Sequence, residues 1–444
     1  TIDNINEKYY EEILKNKAQL TEWENLFSVK VKTVAELKEQ STLVLDTKFF
    51  RQPDGRNPFK DKILSEIENL DERTNGVLIN SENYQALSII EDKYAGKIKC
   101  LCLDPPYNTG NDDFQYKDNF RKSSWLTFMK NRLNKSDKLL SKNSCSFIFI
   151  DDHENDSLAN LCNEHYGSEN FLAKVIWQHS IQGKGYAGKF SVHHNYIHAY
   201  RTLKDYKIGV LKRTEEDNTN YSNPDNDPKG EWRSGDIRNA LYRKNCIYDV
   251  ISPKGNVIKP PANGWRFKKS TMEKKIKSGS VRYNKDETAL TYRIYLEDQK
   301  GRVPETIWFG KEVGTTRTAK ATLKHLFPKK IDFATPKPPE IIEKIIQIMA
   351  DNDGDIFLDF YAGSGATGHA VIRSSFNSEV DLRYVLIEMG KYFESLTKPR
   401  IQKVIYTEKW KDGKPLDNDG SRNHIFKYLV LEQYEDVLDA IESF

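Results

Sequence analysis

Ile98-Lys99-Cys100-Leu101-Cys102-Leu103-Asp104-Pro105-Pro106-Tyr107 is the stretch on which the reading of this chain turns. A largely apolar run of strand length ends in an acid, two prolines and an aromatic. The prolines fix φ and keep each preceding residue extended, so the turn cannot continue as helix. Neither proline has an N–H, and their carbonyls can only accept. Asp104 adds a further acceptor, and Tyr107 offers a face on which a planar ring can stack. A turn of this make-up suits a flat group that donates hydrogen bonds, and the exocyclic amine of a nucleobase answers that description.

A second element answers it far downstream. Asp355-Ile356-Phe357-Leu358-Asp359-Phe360 reads as a buried strand running into Tyr361-Ala362-Gly363-Ser364-Gly365-Ala366-Thr367-Gly368 and then into a helix through Val371-Ile372. Glycines at a strand-to-helix turn let the backbone approach a ligand closely. The next strand, Tyr384-Val385-Leu386-Ile387, ends in Glu388, 23 residues after Gly365. An acid at about that spacing is placed to accept ribose hydroxyls. This half reads as a nucleoside-cofactor site. Gly363-x-Gly365-x-x-Gly368 also fits a dinucleotide fingerprint, and on its own it fits simple packing as well. Paired with an amine-holding turn, and with no acid–base histidine beside either motif, it favours S-adenosylmethionine over a nicotinamide cofactor.

Together these residues resemble a known family. Asp104-Pro105-Pro106-Tyr107 resembles the catalytic motif of amino-methylating DNA methyltransferases, and Tyr361-x-Gly363-x-Gly365 their cofactor motif, with Tyr where Phe is usual. Asp332-Phe333-Ala334-Thr335-Pro336-Lys337-Pro338-Pro339-Glu340 is similar to the segment preceding that motif in the permuted, β-class order, in which the catalytic motif comes first. Asn108-Thr109-Gly110, Trp125-Leu126-Thr127-Phe128-Met129 and the closing Phe426–Asp436 resemble modification (Mod) subunits of type III restriction systems, a likeness covering the chain from about residue 76 onward. The central segment is shorter than those subunits usually carry.

The resemblance implies an N6-adenine DNA methyltransferase that flips its target base, uses S-adenosylmethionine, acts on double-stranded DNA, forms a homodimer and serves a restriction-modification or related defence system beside a restriction (Res) subunit. It implies catalytic roles for Asp104, Pro105, Pro106 and Tyr107. It places the methionine portion of the cofactor against Asp359, Phe360, Tyr361, Ala362, Gly363, Ser364 and Gly365, the ribose on Glu388, and the carboxylate near Thr335, Lys337 and Pro338. Lys337 reads equally as an exposed surface residue. Asn83 reads either as a neighbour of the cofactor adenine or as a helix cap. N4-cytosine methylation uses the same chemistry, with Ser more usual in place of Asp104. A DNA-binding specificity subunit without turnover is a third reading.

Strands alternating with helices predict a doubly wound, mostly parallel Rossmann-like sheet. Ligands in such sheets bind at strand carboxyl ends, so the two motifs are expected to face one crevice. The organisation expected is a helical extension over residues 1–75, a catalytic half over 76–204, a basic target-recognition segment over 205–330 and a cofactor half over 331–444. Strands are expected at Gly76–Ile79, Ile98–Leu103, Ser146–Ile150, Ala173–Trp177 and Tyr196–Tyr200. Between 206 and 330, 27 Lys and Arg stand against 15 Asp and Glu, within a chain whose formal charge is only +3. Such a balance suits a phosphate backbone. Aromatics interleave with bases there, at Trp232-Arg233, Trp265-Arg266 and Arg282-Tyr283. The tryptophans read more readily as the core of an irregular segment.

No stretch approaches the roughly 20 apolar residues that span a bilayer. The early acids Asp3, Glu7, Glu11 and Glu12 do not read as a signal peptide, and five cysteines, an odd number, predict a reducing cytoplasm rather than a disulfide framework. No metal is expected: His193-His194 and His198 lack ligand spacing.

Overall fold

In the computed structural model, which describes residues 1–110, 118–183, 188–329, 333–378 and 380–431, the chain divides into two units. One comprises Thr1–Gly209 with Glu305–Phe444, the other Val210–Pro304.

The larger unit is built on nine strands: β1 (Gly76–Asn80), β2 (Ile98–Leu103), β3 (Leu140–Ile150), β4 (Phe171–Gln178), β5 (His194–Arg201), β6 (Ile307–Trp308), β7 (Ile356–Asp359), β8 (Arg383–Glu388) and β9 (Phe426–Val430). Their order is β6-β4-β5-β3-β2-β7-β8-β1-β9. Among them β5 alone runs against the rest, pairing antiparallel with β3 and β4, while every other pairing is parallel. All six residues of β2 are buried, as an interior strand covered on both faces requires. Even Lys99 is buried, its ammonium donating to Asp351 Oδ2 at 2.5 Å.

β2 and β7 are neighbours, with Leu101 opposite Leu358. Two motifs some 250 positions apart in sequence therefore leave the sheet side by side, from adjacent carboxyl ends. Helices follow from local chemistry. Glu82 caps Asn83–Tyr94 by accepting from the Tyr84 and Gln85 amides. Pro339 occupies the first turn of Pro339–Met349, where its missing N–H costs nothing.

The first 75 residues pack within this same unit. Phe27 lies 4.9 Å from Tyr406, centroid to centroid. The Thr42 hydroxyl donates to the Tyr406 carbonyl, and the Lys398 ammonium to Asp46 Oδ2 at 2.7 Å.

The inserted unit is narrower than the 205–330 expected from composition. Residues 305–329 rejoin the large sheet, because Ile307–Trp308 pairs with Ile176–Trp177 and buries Trp308. Helix Thr316–Leu326 buries Ala319, Leu323 and Leu326 while carrying Arg317, Lys320 and Lys324, so its basic face continued the compositional signal past the boundary. Val210–Pro304 itself has a three-stranded antiparallel sheet ordered Trp232–Gly235, Leu290–Tyr295, Val281–Tyr283. Its core includes Val250, Ile258, Trp265 and Met272. Trp265 is thus core, as expected of an irregular segment. Arg282 and Arg293 both turn onto the buried Asp227 carboxylate, at 2.8 and 2.6 Å.

The closing segment supplies a hairpin, Trp410–Lys411 with Lys414–Pro415, and then β9 along β1. Residues 432–436 of the closing motif, and Asp332, lie outside the described residues. The five cysteines are all free and buried. No described helix is long and apolar enough to cross a membrane.

Candidate active site

Asp104 emerges directly from β2, and the turn it opens is tied down from several sides. Asn108 takes a left-handed conformation (φ 59°), which asparagine tolerates better than most residues. Asp118 accepts the Asn108 and Thr109 amides at 2.8 and 3.0 Å and the Thr109 hydroxyl as well. The Asn108 side chain donates to Glu154 Oε1 and accepts the Phe120 amide. The Trp125 indole donates to the Pro106 carbonyl at 2.8 Å. The Pro106 carbonyl is therefore turned toward a buried tryptophan.

Asp104 divides its two oxygens. Oδ2 accepts from the Lys337 ammonium at 2.6 Å. Oδ1 is buried and has no hydrogen-bond partner among the described residues. The Lys337 side chain is only 9% exposed. Its ammonium stands 5.1, 5.7 and 5.9 Å from the ring centroids of Tyr107, Phe149 and Trp177. Of the two readings open for Lys337, the exposed surface residue is excluded.

The glycine turn is held by two acids. Asp359 ends β7; its carboxylate accepts the Tyr361 amide at 3.0 Å and the Thr367 hydroxyl at 2.6 Å. Burial pushes its pKa up to about 7, and the nearby Asp104 and Glu388 carboxylates push the same way. Glu388 ends β8 and receives three backbone amides: Gly363 at 2.7 Å, Met389 at 2.9 Å and Gly390 at 2.7 Å. Burial raises its pKa too, against the pull of those amides. Gly363 needs its left-handed φ of 51°, and its carbonyl accepts from Thr397 at 2.7 Å. Arg400, fully buried, donates to the Ser364 carbonyl and hydroxyl. Asn83 is not the cap, which is Glu82; it donates to the Phe360 carbonyl and accepts from Arg132.

Two cavities meet at this point. A large one, about 1030 Å³, is bordered by Asp104, Pro105 and Tyr107, with Thr109 and Asp118 beside them. It lies at the upper end of the range for small-molecule sites, about 300–1,000 Å³. A small one, about 30 Å³, is bordered by Asp359, Tyr361, Ala362, Gly363, Ser364 and Phe333. Asp104, Thr335 and Lys337 border both. Phe360 is buried in the core, Gly365 shapes the turn (φ 81°), and Pro338 caps the following helix outside both cavities.

Asp118, Trp125, Phe149, Trp177 and Phe333 were not singled out from the sequence for the parts they play here. Phe149 and Trp177 lie near the carboxyl ends of β3 and β4, so the strand-end rule that located the two motifs could have found them. Asp118 and Trp125 carried no comparable signal. Among the described residues no group of three or more His, Cys, Asp and Glu could hold a metal. His198 is buried on Asn155, its pKa lowered by burial to about 4.

Comparison with known proteins adds the following. A family model described as DNA methylase, of the N6/N4 methyltransferase type, matches residues 98–399. The type III StyLTI Mod subunit of Salmonella typhimurium is 27% identical over 332 residues, covering 67% of this chain and 50% of that protein. The EcoP15I Mod subunit of Escherichia coli is 24% identical over 384 residues, covering 71% and 58%. The chain thus spans about half the length of these curated relatives. Among solved structures, the PvuII cytosine-N4-specific DNA methyltransferase aligns with a TM-score of 0.41 at 11% identity, over 74% of this chain and 86% of that one.

Proposed function

The chain belongs to the N6/N4 family of DNA methylases, and from that membership we propose that it transfers a methyl group from S-adenosylmethionine to N6 of adenine in DNA. The observation that carries the proposal is Asp104 Oδ1, a buried acceptor without a partner among the described residues, on the wall common to both cavities.

Adenine N6 is a poor nucleophile because its lone pair is delocalised into the ring. Asp104 Oδ1 and the Pro105 carbonyl accept hydrogen bonds from the amine, favouring a pyramidal nitrogen with a freed lone pair. Tyr107 stacks on the base. When bound, the cofactor supplies an electrophilic methyl on a sulfonium. Asp104 then takes the proton that leaves N6 once the N–C bond has formed, the electron pair of the broken C–S bond remaining on sulfur. Positioning supplies much of the rate, since both reactants are held in place. The base must leave the duplex to reach the larger cavity.

The donor set around the small cavity fits this cofactor. Asp359 and the glycine turn suit its cationic methionine end, and Glu388, which accepts the Gly363 amide, would meet a ribose hydroxyl by exchanging one of its present donors. Thr335, followed by the helix start at Pro338–Pro339, suits a carboxylate. At about 30 Å³ the cavity admits no nucleoside until Phe333, which covers Gly363, shifts.

DNA as substrate is supported by Val210–Pro304, where 20 Lys and Arg stand against 13 Asp and Glu. Asp at position 104 favours adenine over cytosine. The names of the Mod relatives support a place in a restriction-modification system; a cytoplasmic location, a homodimer and a restriction subunit as further partner belong to the same proposal.

The test is incubation with methyl-labelled S-adenosylmethionine and unmethylated bacterial DNA, followed by digestion and mass spectrometry of the nucleosides. Label in N6-methyladenine is the expected result. Label in N4-methylcytosine keeps the chemistry and overturns the base; absence of label overturns the activity.

Asp359 adds a pH dependence. Its folded pKa, near 7, lies above the ordinary 3.8, so it keeps its proton in the free protein below about pH 7. A cationic ligand favours the ionised form. Affinity for S-adenosylmethionine, measured by titration calorimetry, should therefore rise from pH 6 to pH 8, and Asp359→Asn should abolish that slope. The sign for folding is opposite: the folded chain holds the proton that the unfolded chain releases, so this group's contribution to stability falls as pH rises from about 4 to about 7.

A further inference from the structure

We propose that Lys337 is a positioning residue for the amine acceptor: it fixes the Asp104 carboxylate through Oδ2 so that Oδ1 alone meets the target amine. The inference deepens the adenine-N6 reading above and rests on it.

The geometry is specific on three counts. The Lys337 ammonium reaches Asp104 Oδ2 at 2.6 Å, while Oδ1 is buried without a partner among the described residues. The ammonium is itself held in place, facing the rings of Tyr107, Phe149 and Trp177. And Lys337 borders both cavities together with Asp104. The terminal torsion of an aspartate is broad and roughly two-fold, so an untethered carboxylate offers either oxygen in a spread of directions. An ammonium locked on one oxygen removes that spread. Tyr107, on which the base would stack, also lies 5.1 Å from the Lys337 ammonium, so base, acceptor and lysine all neighbour one side chain. A lysine acting only on the cofactor's carboxylate would have no need of Asp104.

The two roles separate experimentally. Single-turnover methyl transfer at saturating S-adenosylmethionine and the cofactor dissociation constant are measured for Lys337→Met, Asp104→Asn and the double variant. Lys337→Met should slow the single turnover by about 100-fold, the scale of a misplaced reacting group, with the dissociation constant changed less than about threefold. In the Asp104→Asn background it should cost nothing further, since the two residues act as one unit. Lys337→Arg, which keeps the charge, should recover part of the rate. Should Lys337→Met fail to fold, Lys337→Gln takes its place in the same cycle.

Weakened cofactor binding with an unchanged rate at saturation would overturn the proposal, as would full additivity in the double variant. Wild-type protein that labels no adenine fails the parent reading together with this one. Wild-type transfer with additive losses fails this inference alone.

Discussion

Asp104→Ala loses methyl transfer to adenine by about 10³-fold or more, while S-adenosylmethionine binds within a few-fold of wild type. The scale follows from what the carboxylate does. In the proposed mechanism it is the charged acceptor for N6 as positive charge develops there, and removing one preorganised group of that kind costs about 10²–10³ in other enzymes. In the same mechanism this residue also takes the departing proton, and general-base assistance is itself worth about 10²–10⁴-fold. Cofactor binding should survive because the contacts proposed for it, Asp359, Glu388 and the glycine turn, hydrogen-bond among themselves and not to Asp104. Stability should fall modestly, because the substitution strands the Lys337 ammonium. The pair is neither exposed nor fully buried, with side chains 9% and 28% exposed, so a loss of about 1–3 kcal/mol lies between the surface and buried limits. Radiolabel incorporation and calorimetric binding, run on the same preparation, check both halves. A variant retaining near-wild-type turnover would remove Asp104 from the mechanism altogether.

The parts of this site that were legible in the sequence are those where one residue type leaves the backbone no choice. Two prolines after an acid at a strand end, and Gly363 with Gly365 at a strand-to-helix turn, announce their conformation locally. The parallel-sheet rule then brings both turns to the carboxyl end of the sheet without any knowledge of contacts. β2 and β7 do lie side by side. What was not legible depends on side chains that meet across long stretches of chain. Lys337 and Asp104 are 233 positions apart, and nothing local marks that lysine as the one lodged against the Asp104 carboxylate. The Trp125 indole on the Pro106 carbonyl is similarly silent: that carbonyl accepts, as expected, but from a side chain of the protein. The unit boundary was misplaced because composition registers surface charge, whereas the boundary is set by where Trp308 is buried. Arg282 and Arg293 were counted toward a phosphate-facing surface, yet both pair with the buried Asp227.

Glu388 shows the same gap between type and role, and it carries the second large effect. Its position at the end of β8 suggested a ribose acceptor. In the folded chain it already accepts three backbone amides, from Gly363, Met389 and Gly390. A carboxylate offers about four lone-pair directions, and the Tyr392 hydroxyl donates to it as well, so a ribose hydroxyl would take the place of one of these donors; in the proposed binding mode the side chain both builds the glycine turn and contacts the ligand. Glu388→Ala removes both functions. Met389 is exposed, so water can replace its lost partner; the amides of Gly363 and Gly390, inside the turn, are less easily served. A buried donor left unpaired costs about 1–3 kcal/mol, and the protein should lose stability on that scale, read as a lowered denaturation midpoint. The ligand loses a charge-assisted hydrogen bond worth about 1.5–3 kcal/mol, and it meets a turn in which Gly363 is tethered only through its carbonyl to Thr397. The S-adenosylmethionine dissociation constant should therefore rise by about 100-fold or more. Glu388→Gln separates the two roles. Its single side-chain oxygen can serve Gly363 or the Met389–Gly390 pair, but its amide nitrogen opposes the other, so affinity should fall between wild type and alanine. An alanine variant that binds the cofactor as tightly as wild type would mean that the ligand never engages this strand end, and the cofactor would have to be placed elsewhere along the crevice.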